Sequence, residues 1–405
     1  MSSSDTDGRR SLVATSLAHF INDGLLAMIP LMYIVFTVNG VSLLVVSILV
    51  SLQNISAILI SPVIGTKSDQ SGNYARLISL GLALLAAGTI GYAVSVQFTN
   101  GFALALVLVP FTLLIGIGSS FYHPLGATVL RAKWKLETLG NAMGINGSAG
   151  SVGRLLLPVA TTVTLGFLAL PFVGIIGALC LGGAFAIPLM MKGIKFRNGP
   201  PASTERRRVS FLPERELASR LFTLTVVSFS RGLFTGVFPL IPIYLEQVDK
   251  FNSIEAGFLF SISLGTGIVS QLVFGYLQTR LGARRALAIS NIGGVAVLFL
   301  FTLTSVPAVV IASLVVFGLF SYSAFPLLLG AVQDLTDLDE MTSGSAIVWG
   351  IGNSSGSAIA PLLVGALALF YGSPTPGFLA SAAVGILSIV LMPFVRHTKS
   401  SPSGS

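Results

Sequence analysis

The sequence predicts an all-α polytopic membrane protein, with twelve transmembrane helices in two pseudo-symmetric six-helix halves. Three observations carry this. Hydrophobic residues fill 53% of the 405 positions and charged residues 9%, against about 25% charged in a soluble domain; mean hydropathy is +0.88. Twelve apolar runs reach the roughly 20 residues a bilayer crossing needs, at 11–37, 41–65, 76–96, 102–130, 139–164, 170–191, 219–244, 255–278, 286–304, 308–333, 345–370 and 375–395. Motifs in the first six runs recur in the last six. Lipid offers backbone N–H and C=O groups no partner, so such runs are helices. The apolar/polar alternation of a barrel strand is missing from them.

The expected cytoplasmic N-terminus, 1–10, is polar. The run after it is far longer than a signal-peptide core, so no cleaved leader is expected. Span 1 places His19 one turn before Asp23 on the same face, with Asn22 beside it. Span 4 holds GSSFYHPLG (118–126), in which Pro124 removes the donor that Ser120 needs. The helix is expected to loosen there and expose a backbone acceptor beside His123. Span 5 carries Arg154 and a row of glycines, 140, 144, 147, 150 and 153, echoed in span 11 by 344, 350, 352 and 356. Small residues let helices approach closely in lipid, and Pro158 and Pro361 are expected to end or bend these spans. Cys180, the single cysteine, lies in span 6, which leaves no disulfide framework and no thiol metal site. A polar linker, 192–218, separates the N-terminal half (11–191) from the C-terminal half (219–396) and its tail (397–405). Span 7 carries Arg231.

The net charge of +8 has an arrangement. With the N-terminus inside, every Lys and Arg falls on the cytoplasmic side except Lys250 in an outer loop and Arg154 and Arg231 within spans. This positive-inside pattern orients the chain in the cell membrane with both termini cytoplasmic. The run Glu205 to Arg208 reads as a linker touching anionic headgroups, and the acidic run DLTDLDE (334–340) as solvated.

The internal repeat is specific. Gly65, Asp69 and Gly72 recur as Gly275, Thr279 and Gly282 at an offset of 210; Gly116, Ser119 and Pro124 recur as Gly318, Ser321 and Pro326; Gly147, Gly153 and Pro158 recur as Gly350, Gly356 and Pro361. The first of these resembles the loop between spans 2 and 3 of the major facilitator superfamily, G-x-x-x-D-(R/K)-x-G-(R/K)-(R/K). Gln70, Asn73 and Tyr74 stand at its basic positions, while the second copy keeps Gly275, Arg280, Gly282 and Arg284. The resemblance covers the whole chain. It implies a cytoplasmic latch, in which Asp69 pairs with a base such as Arg131. AHFINDGLLAMIP (18–30), GSSFYHPLG and NGSAGSVGRLLLP (146–158) are similar to the fosmidomycin-resistance group of that superfamily. His19, Asn22 and Asp23 match its span-1 element, and Gly118, Ser119, Ser120, His123 and Pro124 its span-4 element. That group implies proton-driven transport, often export of drugs or other small organic compounds, and its named drug is a phosphonate.

The resemblance implies a central cavity lined by spans 1, 4, 7 and 10, with substrate near the midplane while the halves rock. An intramembrane charge costs roughly 2.5–3.5 kcal/mol, so each is a functional candidate. Burial and a nearby arginine push a carboxylate's proton affinity in opposite directions. Asp23 is therefore the expected proton-coupling residue, with His19 and His123; a permanent salt bridge to Arg154 or His19 is the alternative. Asn22, His123, Arg154 and Arg231 are the expected substrate contacts, because arginine forks suit carboxylates, phosphates and phosphonates. For Arg154, neutralising Asp23 is the competing role, and for His123, supporting the kink.

No catalytic constellation is expected: three histidines and a single intramembrane acid do not make a hydrolytic or metal centre. A Walker loop is missing too. The reading is a proton-coupled carrier of an anionic or polar small molecule, an exporter by drug/proton antiport, with a proton symporter importing an organic acid or sugar as the alternative. A channel or non-transporting sensor is the rival from another class. Expected partners are substrate, protons and membrane lipids, with no nucleic acid, cofactor or metal, and the working unit is a monomer.

Overall fold

Long apolar runs without internal polar alternation satisfy their own backbone as helices, and the computed structural model, which describes residues 3–168, 171–194, 215–336 and 340–395, contains no strand among them. The helices are α1 (Ser3–Val38), α2 (Leu43–Ser71), α3 (Tyr74–Phe98), α4 (Gly101–Lys133), α5 (Leu136–Val163), α6 (Pro171–Met190), α7 (Arg215–Thr235), α8 (Ile241–Gln247), α9 (Ser253–Leu281), α10 (Ala283–Leu303), α11 (Pro307–Ser321), α12 (Ala324–Gln333), α13 (Met341–Ser345), α14 (Ser355–Tyr371), α15 (Thr375–Gly385) and α16 (Leu387–Val390). Among the described residues, eleven helical segments are long and apolar enough to cross a membrane. The twelfth expected span, α5, is not one of them. Its 28 residues reach about 42 Å, but Asn146, Arg154 and the glycines dilute its apolar character.

Two compact units emerge. The first draws on the described residues of Met1–Ser42, Leu52–Ser210 and Asn252–Ser261; the second on those of Leu43–Ser51, Phe211–Phe251 and Ile262–Ser405. In the first, α1 packs on α3, α4, α5 and α6, and α3 packs on α4 and α6. In the second, α7 packs on α14, α15 and the π-helical stretch Ala346–Ser354, and α10 packs on α11 and α15. Leu221, Leu224, Leu287, Leu327 and Val348 are fully buried within the second unit's core.

Glycine contacts set the closest approaches, and the repeat is visible in them. A Cβ on Gly153 would collide with the Phe20 carbonyl oxygen of α1, and one on Gly356 with the Phe229 carbonyl of α7. Gly116 meets the Gln53 carbonyl as Gly318 meets that of Ser263. The expected bare face of α5 is only partly a packing face. Gly150 and Gly153 press on α1, whereas Gly140, Gly144 and Gly147 have no atom within 4 Å of such a Cβ. Gly153→Ala is therefore expected to destabilise by about 1–3 kcal/mol, while Gly147→Ala is neutral or slightly stabilising; thermal unfolding of the purified variants checks the difference.

The breaks fall elsewhere than expected. α4 runs uninterrupted through Pro110 and Pro124, so the expected loosening beside His123 does not break the helix. Instead span 10 breaks at Tyr322 and Ser323, between α11 and α12, before Pro326. Span 7 breaks after Thr235 at Gly236 and resumes through the 3-10 turn Phe238–Leu240 around Pro239.

Of the latch residues, Gly72 and Gly282 adopt left-handed φ of 62° and 82°, a conformation that favours glycine and explains why both repeats keep it. Arg284 donates to the carbonyls of Met392 and Pro393 at 3.1 and 2.7 Å, and Arg280 lies over the Tyr276 ring. Gly275 stands in open space and Arg131 is exposed. The side chain of Asp69, the surroundings of Gly65, most of the linker with the run 205–208, and the tail lie outside the described residues. One solvated acid is corrected: Glu340 is bound bidentately by Arg220 at 2.8 and 3.0 Å, and Leu335 and Thr336 of the same run are buried.

Candidate functional site

The first unit brings His19, Asn22, Asp23, His123 and Arg154 together. α1 supplies Asp23 near its middle, and the close approach at Gly150 and Gly153 draws α5 against the same face. A Cβ on Gly150 would run into the His19 ring, so glycine there gives the imidazole its place. Gly24, whose Cβ would meet Leu157 at 2.6 Å, extends this contact by one turn.

Asp23 is 4% exposed, and both its oxygens are occupied. Oδ2 accepts from Arg154 Nη1 at 2.9 Å and faces His19 Nε2 at 3.2 Å. Oδ1 accepts from the Asn22 amide at 3.0 Å and faces His123 Nε2 at 3.4 Å. Arg154 also donates through Nη2 to Ser151 at 2.9 Å. Exposure is graded across the cluster: the His123 side chain is 58% exposed, Arg154 19% and His19 13%. His123 is thus the open end of the cluster and Asp23 its enclosed centre. Asn22 is fully buried, so it supports the carboxylate rather than facing a ligand.

Two residues that the sequence reading passed over fix His19. The Tyr122 hydroxyl donates to the Thr15 carbonyl at 2.8 Å and accepts from the Asn146 amide nitrogen at 2.8 Å. That turns Asn146 Oδ1 toward His19 Nδ1, 2.9 Å away, where it accepts the Nδ1 proton. His19 Nε2 is left facing Asp23. Asn146 carried a signal in the sequence, since an amide in a membrane-length helix has no water to satisfy it.

The ligand atoms of His19, Asp23 and His123 lie within 4.8 Å of one another, a spacing that would admit a metal ion. Arg154 already places a positive charge on the same carboxylate, which opposes a resident divalent cation.

Arg231 belongs to neither this cluster nor an open surface, contrary to the expected substrate contact. It is fully buried in the second unit, and no described carboxylate lies within 4.0 Å of it. Its Nη1 bonds Ser290 at 3.1 Å and the Asn291 side-chain oxygen, and its Nη2 bonds the Phe320 carbonyl at 2.7 Å and Ser323 at 3.2 Å. The break in span 10 leaves the last carbonyls of α11 without helical donors. Arg231 caps that helix end, and a cation is favoured there by the helix dipole.

The Major Facilitator Superfamily model matches residues 12–353 and 250–405. Solved structures share the fold over nearly the whole chain. A bacterial homologue of the iron transporter ferroportin, in an inward-facing state, superposes with a TM-score of 0.72 at 14% identity, covering 97% of this chain and 100% of its own. The nucleoside transporter NupG gives 0.75 at 14% identity, covering 96% and 100%. A peptide transporter in complex with sulfate gives 0.71 at 15% identity, covering 95% and 93%. No curated protein matches the sequence.

Proposed function

We propose that this chain, which belongs to the Major Facilitator Superfamily, is a proton-coupled secondary transporter moving a small anionic or polar organic compound by alternating access. The observation that carries the reading is the enclosed carboxylate of Asp23, held by Arg154 and flanked by two imidazoles. Intramembrane groups of this kind mark proton relays. His123, at the open end, hands protons to Asp23 and meets the substrate beside Arg154. Arg231 stays outside this reading as a helix cap. The span-1 and span-4 motifs support the fosmidomycin-resistance group, and with it a cell-membrane exporter working against proton flow. Import with protons is the second reading, favoured by the Asp23–Arg154 ion pair.

Proteoliposomes carrying the purified chain test it. Saturable flux that a protonophore abolishes supports a proton-driven carrier; non-saturating flux points to a channel, and tight ligand binding without flux to a sensor. His123→Gln is expected to shift the pH dependence of transport. Unchanged rates at every pH would reduce His123 to a packing residue.

A further inference from the structure

We infer that a proton and an organic anion bind the Asp23 cluster cooperatively, so that an anionic substrate travels with the proton and a cationic one against it. This rests on the proton-coupled reading above and adds the sign of the coupling: for an anionic compound it selects import with protons over export against them. The groups that face Asp23 are His19 from its own helix, His123 and the neighbouring Tyr122 from α4, and Arg154 from α5. α6 carries no charged residue, and the single charged residue of α3 is Arg76 in its first turn. With both imidazoles neutral, the cluster is neutral overall: one carboxylate against one guanidinium, 2.9 Å apart.

A proton can enter at three places, and the consequence is the same at each. On Asp23 it removes the carboxylate charge and leaves the guanidinium of Arg154 without its counterion. On His19 or His123 it adds a second cation beside that guanidinium. In every case the cluster gains one positive charge; on Asp23 or His19, 4% and 13% exposed, that unpaired charge is costly, and on the open His123, 58% exposed, the cost is smaller. An anion that pairs with Arg154 relieves this, and the planar fork suits a carboxylate, phosphonate or sulfonate. His123, 58% exposed, leaves the approach from the open side polar. Coupling of two ligands is reciprocal, so the anion strengthens proton binding as much as the proton strengthens anion binding. A cation is disfavoured by the same added charge and competes with the proton. The residues that would drive antiport of a cation thus drive symport of an anion. Under an inward proton gradient, anions are taken up through this site rather than expelled.

Titration calorimetry on the purified full-length chain, over a series of pH values, reads the sign directly. Benzoate and propanesulfonate serve as anions whose charge is constant across the neutral range, and tetraphenylphosphonium as a permanent cation. Anion affinity is expected to rise about tenfold per pH unit of acidification while the cluster takes up one proton, and cation affinity to fall. Asp23→Asn is expected to hold the anion with its acid-limit affinity and a much flatter pH dependence. The double variant Asp23→Asn/Arg154→Gln, which removes both charges, is expected to lose anion binding while keeping its fold. Anion affinity that falls or stays level on acidification overturns the cooperativity. So does the failure of both anions to bind at any pH, to the parent chain and to Asp23→Asn alike. Protonophore-sensitive flux in those cases leaves the proton-coupled reading standing; flux that ignores the protonophore removes that reading as well.

Discussion

Asp23→Asn is expected to abolish uphill accumulation of substrate in proteoliposomes and to leave exchange of labelled for unlabelled substrate intact. Asparagine keeps the volume of the carboxylate and one acceptor oxygen for Arg154 or Asn22, so the site keeps its shape. What it loses is the ability to exchange a proton and to neutralise the guanidinium 2.9 Å away. Removing one member of a buried pair costs about 3–5 kcal/mol, and the 19% exposure of Arg154 places the variant at the lower end of that range. Its thermal midpoint therefore falls. Adding Arg154→Gln removes the stranded charge and is expected to recover part of that midpoint without restoring accumulation. Stability and coupling are separated in this way. If Asp23→Asn alone still concentrates substrate against a gradient, the carboxylate only ties α1 to α5.

Arg231→Ala is expected to cost stability on a similar scale, about 3–5 kcal/mol, for different reasons. It opens a side-chain-sized void in a packed interior and strips the Phe320 carbonyl of a charged donor, at the point where span 10 changes from α11 to α12. Ser290, Asn291 and Ser323 then keep buried polar atoms with fewer partners. Arg231→Lys places a point charge where a fork spans four partners, so an intermediate midpoint is expected. Ligand affinity in the surviving fraction of either variant should match the parent chain. A variant with an unchanged thermal midpoint and lost anion binding would return Arg231 to the role of substrate contact that the sequence suggested.

These two residues show where sequence reasoning ran out. Asp23 and Arg231 look alike in the sequence, each a lone charge in a membrane-length run. One is met by three ionisable partners from three helices, the other by hydroxyls, an amide and a helix end. Pro124 and Pro326 are repeat-related in the same way, yet the helix carrying the first is continuous while span 10 breaks just before the second. A broken helix end needs a donor to satisfy it, and Arg231 stands at the break in span 10. Tyr122 and Asn146 sat beside residues already singled out, His123 and the glycine row. Their part in fixing His19 depended on a chain of hydrogen bonds from Thr15 to Asp23, which no spacing within one helix discloses.

The sequence by itself determined that this is a twofold-repeated, helical membrane protein of the major facilitator type, and which few ionisable groups lie within its spans. Those properties belong to single residues and short windows: the cost of a charge in lipid and the length of an apolar run do not depend on neighbours distant in the chain. Only the tertiary structure decided which of those groups meet. Arg154 lies 131 positions from Asp23 and Asn146 lies 127 from His19. Their meeting depends on the rotation and depth of α5 against α1, fixed by the absence of a side chain at Gly150 and Gly153. Pairing is a property of two surfaces in register, and that register forms only when the helices pack.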